Sequence, residues 1–301
     1  MISLNLNPVF SYTNLATNIN ILMYLQYFGL KKLSLILIKS HAVNFKQKDI
    51  YRHTVLMHVC YKKISEVAFA LIATGKSDPG AQNIFGCTAL TYACDRSMPE
   101  VALALIATEE SNPGVQNDGG CTALIYACAN KMLKVALTLI ATGKSNPGAQ
   151  NEYGCTALMY ACLRNMPEVA LALIATGKSN PGAQNEFGYT ALMCACYFNM
   201  PEVVFALIAT GESNPGAQDN IRFTALMHAC SVLSWGVTSI DIPLAILATG
   251  KSNPLAIAGP LSITENITDA FDLVPSYPGH NFKLKYAIRQ EQAYERRKYT
   301  L

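Results

Sequence analysis

Charge is scarce in this chain. Of 301 residues only 14% are Asp, Glu, Lys or Arg, and the formal net charge is +3. So small an excess carries no argument for nucleic acid on its own. Its distribution carries none either: residues 1–53 hold six basic and one acidic residue, 54–262 eleven and fourteen, and 263–301 six and five, so no single basic face results. Long apolar runs are missing too, although 51% of residues are hydrophobic and mean hydropathy is +0.20. Near the start the longest run, Leu33 to Ile38, sits between Lys31, Lys32 and Lys39. A membrane-spanning helix needs roughly 18–20 such residues. A basic, apolar, small-residue leader is not legible at the N-terminus either, so a signal peptide is not expected.

Catalytic signatures are equally sparse. No G-x-S-x-G, phosphate-binding loop, HExxH or kinase set occurs. Histidine appears only at His41, His53, His58, His228 and His280. His58 and His228 occupy one repeat position five units apart, where three other full copies carry Tyr, and are read as structural variants of that slot. The ten cysteines offer no paired CxxC, and Cys194-x-Cys196 is isolated. Cys60, Cys94, Cys128, Cys162, Cys196 and Cys230 instead recur one repeat apart, and Cys87, Cys121 and Cys155 form a second series. Cysteine returning to one structural position fills a small buried slot, in a reducing compartment. No catalytic residue, cofactor or metal ligand is assigned, and an enzyme is not expected.

What the chain does have is a period. Thr54, Thr88, Thr122, Thr156, Thr190 and Thr224 are each followed by Ala-Leu or Val-Leu, at a constant step of 34 in the numbering. Gly86, Gly120, Gly154 and Gly188 keep that step, as do Pro79, Pro113, Pro147, Pro181 and Pro215. From Pro215 to Pro254 the step lengthens to 39, with five extra residues around Trp235 to Ile242. Backwards, Leu22-Met23-Tyr24 lies one such step before Leu56-Met57-His58, marking a worn copy. A period of this length is the mark of a solenoid.

One unit, Thr156 to Tyr189, shows the expected anatomy. Thr156 suits the N-cap of a first helix, with Ala157, Leu158, Ala161 and Cys162 on its apolar face. That helix is expected to end near Asn165. Pro167 fits the first turn of a second helix, and Glu168 complements its positive end. Val169, Leu171, Leu173 and Ile174 form a second apolar stripe, and Gly177 takes a left-handed cap. From there to Gly188 the chain is rich in Asn, Pro and Gly, which are turn formers. Helices of about 9–10 residues do not persist alone in water, so the units must stack to be stable.

Asn-Pro at the unit end is reminiscent of tetratricopeptide repeats, but those have longer helices and short turns. The order G-x-T-A-L-x-x-A, then L-I-x-x-G, more closely resembles ankyrin repeats. Gly154-Cys155-Thr156-Ala157-Leu158, Ala161, Glu168-Val169, Leu173-Ile174 and Gly177 carry that resemblance, and Asn151 stands where the family opens its hairpin turn with Asp. It covers residues 20–262: a degenerate unit 20–53, then 54–87, 88–121, 122–155, 156–189 and 190–223, and a lengthened unit 224–262. It implies an all-α repeat solenoid of helix–turn–helix units with short β-hairpin fingers. Three departures stand out. The unit has one extra finger residue, and Arg222 replaces a turn glycine. At the third position after Thr, Met57, Thr91, Ile125, Met159, Met193 and Met227 replace the family's His, so its hydrogen bonds are expected to give way to apolar packing. The wording E-V-A-L-x-L-I-A-T-G-K-S-N-P is also similar to ankyrin proteins encoded by giant DNA viruses of amoebae.

The resemblance implies a protein partner on the concave face and finger tips, with no nucleic acid and no membrane, for a monomer in the cytoplasm (of the host cell, if viral). Positions that vary among near-identical copies mark the contact surface: the pair before the turn glycine and the end of the first helix. The candidates are Phe85, Arg96, Tyr153, Arg164, Phe187, Tyr197 and Phe198, because exposed aromatics and arginines often anchor interfaces. Finger aromatics packing on the next finger are the competing reading, as is solvation of the two arginines. Tyr92, Tyr126 and Tyr160 recur in phase as core or groove lining. The flanks 1–19 and 263–301 lie outside the repeats. In the second, KLKYAIRQEQAYERRKY is a candidate capping helix, and Asn266-Ile267-Thr268 is read as a chance sequon. A substrate adaptor for a ubiquitin ligase, a nucleic-acid binder and an unexpressed remnant of repeat expansion are the alternatives.

Overall fold

The computed structural model describes residues 21–40, 43–233, 239–254, 256, 270, 274, 284–285 and 287–292. The 1–19 flank, the middle of the insertion at 235–238, the sequon at 266–268 and the break at 275–279 lie outside the described residues. The chain forms two compact units, Met1–Asn146 and Pro147–Leu301. Among the described residues are fourteen delimited helices and no strands. Both units are all-α repeat solenoids. Among the described residues no helix is long and apolar enough to cross a membrane.

In the first unit the hairpins are α1 (Ile21–Tyr27) with α2 (Lys31–Lys39), α3 (Val55–Tyr61) with α4 (Ser65–Ala73), α5 (Ala89–Asp95) with α6 (Pro99–Ile106), and α7 (Ala123–Ala129) with α8 (Leu133–Ala141). In the second they are α9 (Ala157–Leu163) with α10 (Pro167–Ala175), α11 (Ala191–Tyr197) with α12 (Pro201–Ala209), and α13 (Ala225–Leu233) with α14 (Asp241–Ala248). Within each unit, first helices pack on first helices and second on second, giving two layers.

Local chemistry sets these boundaries. Thr88, Thr122, Thr156 and Thr190 have extended backbones, and each side chain accepts the amide three residues on at 3.2 Å. The expected loss of hydrogen bonding at the family's His position is only partial. Thr91 Oγ1 accepts the Thr88 amide at 2.8 Å, and the Met57 and Met193 sulfurs take the same role weakly at 3.4 and 3.5 Å. Pro99, Pro167 and Pro201 open second helices, each followed by a glutamate in the first turn. Gly177 adopts φ +63 after α10. A second cap accompanies it: the Thr176 hydroxyl donates to the Leu173 carbonyl at 2.6 Å and accepts the Lys178 amide at 3.1 Å. The first helices α3, α5, α7, α9 and α11 have only seven residues each and α10 has nine, so they fall below or at the lower edge of expectation.

Burial follows the repeat. Val169, Ala170 and Leu173 are fully buried, but Leu171 is exposed. The second stripe therefore runs through positions 169, 170 and 173, because at 100° per residue position 171 points away from all three. Phe69 and Phe205, in the same slot, are exposed as well. The first cysteine series is buried throughout, whereas Cys87 and Cys121 of the second are half-buried; none of the ten is in a disulfide.

The fingers differ from the expected β-hairpins. Their pairing reduces to one backbone bond each, such as Asn83 N to Cys87 O at 3.1 Å, with an isolated bridge between Gln150 and Thr156. The cause is the asparagine at the turn. Asn83 Oδ1 accepts the Phe85 and Cys87 amides at 3.0 and 2.8 Å, and so takes donors that a ladder would need.

At the far end, described residues 284–285 and 287–292 are helical. Leu284, Ile288 and Gln292 are buried, and Gln292 Nε2 donates to the Pro254 carbonyl at 3.0 Å.

Candidate interaction site

The finger is held by a bracket that the period alone does not reveal. Asn83 organises its turn through Oδ1 and donates through Nδ2 to the Tyr92 hydroxyl at 3.0 Å, on the following helix. Asn117 does the same with Tyr126 at 3.1 Å, and Asn151 with Tyr160 at 3.5 Å. Where Asp replaces Asn, His replaces Tyr nine residues on: Asp49 meets His58 and Asp219 meets His228, each at 3.0 Å. An ionised carboxylate accepts but cannot donate, and here the imidazole N–H is the donor that faces it. His58 and His228 thus occupy the Tyr slot, and Tyr92, Tyr126 and Tyr160 are half-buried members of the bracket. Paired substitution at a nine-residue spacing was the sequence signal for this bracket.

Within each unit successive fingers are joined by single backbone bonds. Ile84 N reaches Tyr51 O and Asp118 N reaches Phe85 O, both at 3.0 Å; Glu186 N reaches Tyr153 O and Asn220 N reaches Phe187 O, both at 2.9 Å. The residue before the turn glycine therefore has its backbone engaged while its side chain projects. Phe85, Tyr153, Phe187, Tyr197 and Phe198 are all exposed, from 38% at Phe198 to 55% at Phe187.

Each candidate also has its own surroundings. The Phe85 ring stacks on Tyr51 of the preceding finger, with centroids 6.3 Å apart. Tyr197 and Phe198 meet edge to face at 5.1 Å. Arg96 is half-buried: its guanidinium lies 4.2 Å above the Tyr61 ring, and its Nε is 3.2 Å from the Asp95 carboxylate. Arg164 is exposed at the end of α9. Phe85 with Arg96 belong to the first unit; Tyr153, Arg164, Phe187, Tyr197 and Phe198 belong to the second. Tyr51 and Tyr61, exposed aromatics of the first finger and of α3, stand outside the candidate set, although Tyr61 lies in a varying pair at the end of a first helix.

Burial governs the thiols. It pushes Cys60, Cys128 and Cys194 up to about 12, and it raises Cys94 and Cys196 well above the ordinary thiol range. Such thiols are inert packing groups.

The family profile described as "Ankyrin repeats (3 copies)" matches residues 97–180 and 172–238. Among solved structures, the human ASB11 ankyrin repeat domain superposes with a TM-score of 0.51 at 19% identity, over 79% of this chain and 98% of that one. A structure of the Bd0816 predatory endopeptidase from Bdellovibrio bacteriovorus in complex with immunity protein Bd3460 matches at 26% identity and a TM-score of 0.48, over 64% of this chain and 95% of that chain. No curated protein matches the sequence. The profile falls on the same hairpins whose caps and fingers recur in phase, and over residues 97–238 this chain is an ankyrin repeat protein.

Proposed function

We propose that this chain is a non-enzymatic scaffold that binds a protein partner through its finger tips and the ends of its first helices. Ankyrin repeats as a class mediate protein–protein interaction. The observation that carries the reading is a fixed frame with variable tips. The Asn185 side chain holds the Phe187 amide at 3.0 Å, yet the Phe187 ring is more than half exposed. A rigidly presented aromatic loses little conformational entropy on binding.

Phe187, Tyr197 and Phe198 form the contact surface of the second unit, and Phe85 with Arg96 that of the first. A partner retained by the wild type should be lost by the F187A/Y197A/F198A variant, with circular dichroism unchanged. Collapse of helicity would assign the three rings to the core; equal capture would remove them from the interface. The style of the repeat supports a viral protein acting on host proteins. Recruitment of ubiquitin ligase components is tested separately, by deleting residues 263–301 and looking for their loss.

A further inference from the structure

The first finger differs from every other. Asp49 opens it, and its Oδ1 accepts the Tyr51 and His53 amides at 2.9 and 2.8 Å. Its second oxygen, Oδ2, faces two imidazoles: His53 Nδ1 at 3.1 Å and His58 Nε2 at 3.0 Å. The three donors lie within 4.8 Å of one another. Among the described residues this is the one group of three or more His, Cys, Asp or Glu side chains so placed. It is reachable, with His53 and His58 side chains 17% and 29% exposed.

The repeats supply an internal control. Asp219 and His228 reproduce the Asp–His bracket at 3.0 Å, but Phe223 stands in the place of His53. In the other copies that place holds Cys87, Cys121, Cys155 or Tyr189. The bracket needs one imidazole; the second is extra.

We propose that Asp49, His53 and His58 form a binding site for a divalent transition-metal ion of the zinc class. Donors bound at about 2.0–2.2 Å with angles between a right angle and tetrahedral lie roughly 2.8–3.5 Å apart, which spans both separations from Oδ2. Two imidazoles and a carboxylate suit zinc and its transition-metal neighbours better than magnesium or calcium. Burial holds the His58 imidazole below its usual range, so its lone pair is available at neutral pH. Burial acts to raise the Asp49 carboxyl, but the His53 amide and both imidazoles outweigh it and keep it ionised.

On coordination each ring turns a lone pair to the ion and keeps its N–H on the other nitrogen. His53 then carries its proton on Nε2, which faces the Tyr92 hydroxyl at 3.3 Å, and His58 carries its own on Nδ1. The Tyr92 oxygen, already accepting from Asn83, has capacity for this second donor. Tyr92 is thus a positioning residue for the metal ligand. The bound ion pins the first finger, with the Tyr51 ring it carries, onto α3.

The test uses the full chain, stripped with chelator, kept reduced and titrated with zinc chloride by calorimetry. Cobalt absorption then reports the ligand type. Expected are one equivalent per chain, d–d bands without thiolate charge transfer, and a higher thermal midpoint with zinc. H53F, which copies the Phe223 arrangement, should weaken binding more than tenfold. D49N/H58Y, which restores the Asn–Tyr bracket of other repeats, should do the same and keeps the test valid if H53F fails to fold. Y92F should weaken it about tenfold, and D219N/H228Y should leave it unchanged. Absence of one-equivalent binding, a thiolate signature, unaltered affinity in D49N/H58Y, or loss in D219N/H228Y would each overturn the proposal.

Discussion

Gly188 and Arg222 occupy the same place in successive fingers, and substitutions there should move stability in opposite directions. Both are left-handed, at φ +78 and +68, and both close the turn by donating to the residue three back, at 2.9 and 2.8 Å. Their surroundings differ. A Cβ at position 188 would lie 2.7 Å from Asp219 Cα and 3.0 Å from the Gln218 carbonyl oxygen, both backbone atoms of the next finger. The motif that crowds Gly188 reads P-G-A-Q-D from Pro215 to Asp219, and the sequence after Pro254 does not repeat it. For Gly188→Ala, the left-handed backbone costs about 1–2 kcal/mol and overpacking about 1–3 kcal/mol. The less flexible unfolded chain returns about 0.4–1 kcal/mol, leaving a net loss of about 1–5 kcal/mol. Arg222→Gly releases the backbone cost with no clash and gives up the same unfolded-state term, for a net gain on the order of 0.5–1 kcal/mol. Urea unfolding followed by circular dichroism reads both as shifts of the midpoint. If the two variants moved it in the same direction, or Gly188→Ala left it unchanged, finger-to-finger contact would not be what fixes the glycine.

Leu173, fully buried in α10, should lose about 2–5 kcal/mol on truncation to Ala, measured by the same unfolding curve. A loss well under about 1 kcal/mol would contradict its place in the core. Alkylation mapped by mass spectrometry should reach half-buried Cys87 before Cys60 or Cys128, whose thiols burial pushes up to about 12. Burial raises Cys87 less, so its labelling should speed up as rising pH deprotonates it, while the other two wait for unfolding; equal rates in the folded state would refute this. We propose that the helical residues 284–285 and 287–292 cap the stack. Ile288→Ala should then destabilise the second unit by about 2–5 kcal/mol, and a neutral result in the unfolding curve would free the tail from that role.

Legibility in the sequence follows the range of the interaction. Caps are readable because Thr156 and the amide of Met159 are three residues apart, and Pro167 needs only its own ring to favour a first turn. The C-cap role of Thr176 is equally local, but Gly177 beside it is the stronger signal and hides it. Pattern alone misplaces Leu171 because V-A-L-A-L-I is apolar throughout, so no polar residue marks which side faces out. The aromatic tips are visible as variation among copies, and their exposure agrees with a surface position. The Asp49 cluster is not visible: His53 lies outside the repeat consensus, and the Tyr slot alone accounts for His58.

By itself the sequence determined the period, the helical hairpins and their capped ends, because each depends on residues within a turn or two of one another. Only the tertiary structure decided which helix face is buried, why the described fingers form no strand ladder, and that three donors meet at the first finger. Those outcomes depend on the chain folding back on itself, where Asn83 reaches Tyr92 on the following helix and the backbone of one finger meets that of the next, a full repeat away. Periodicity says that copies are alike; contact geometry says where a copy, having changed, has acquired something to do.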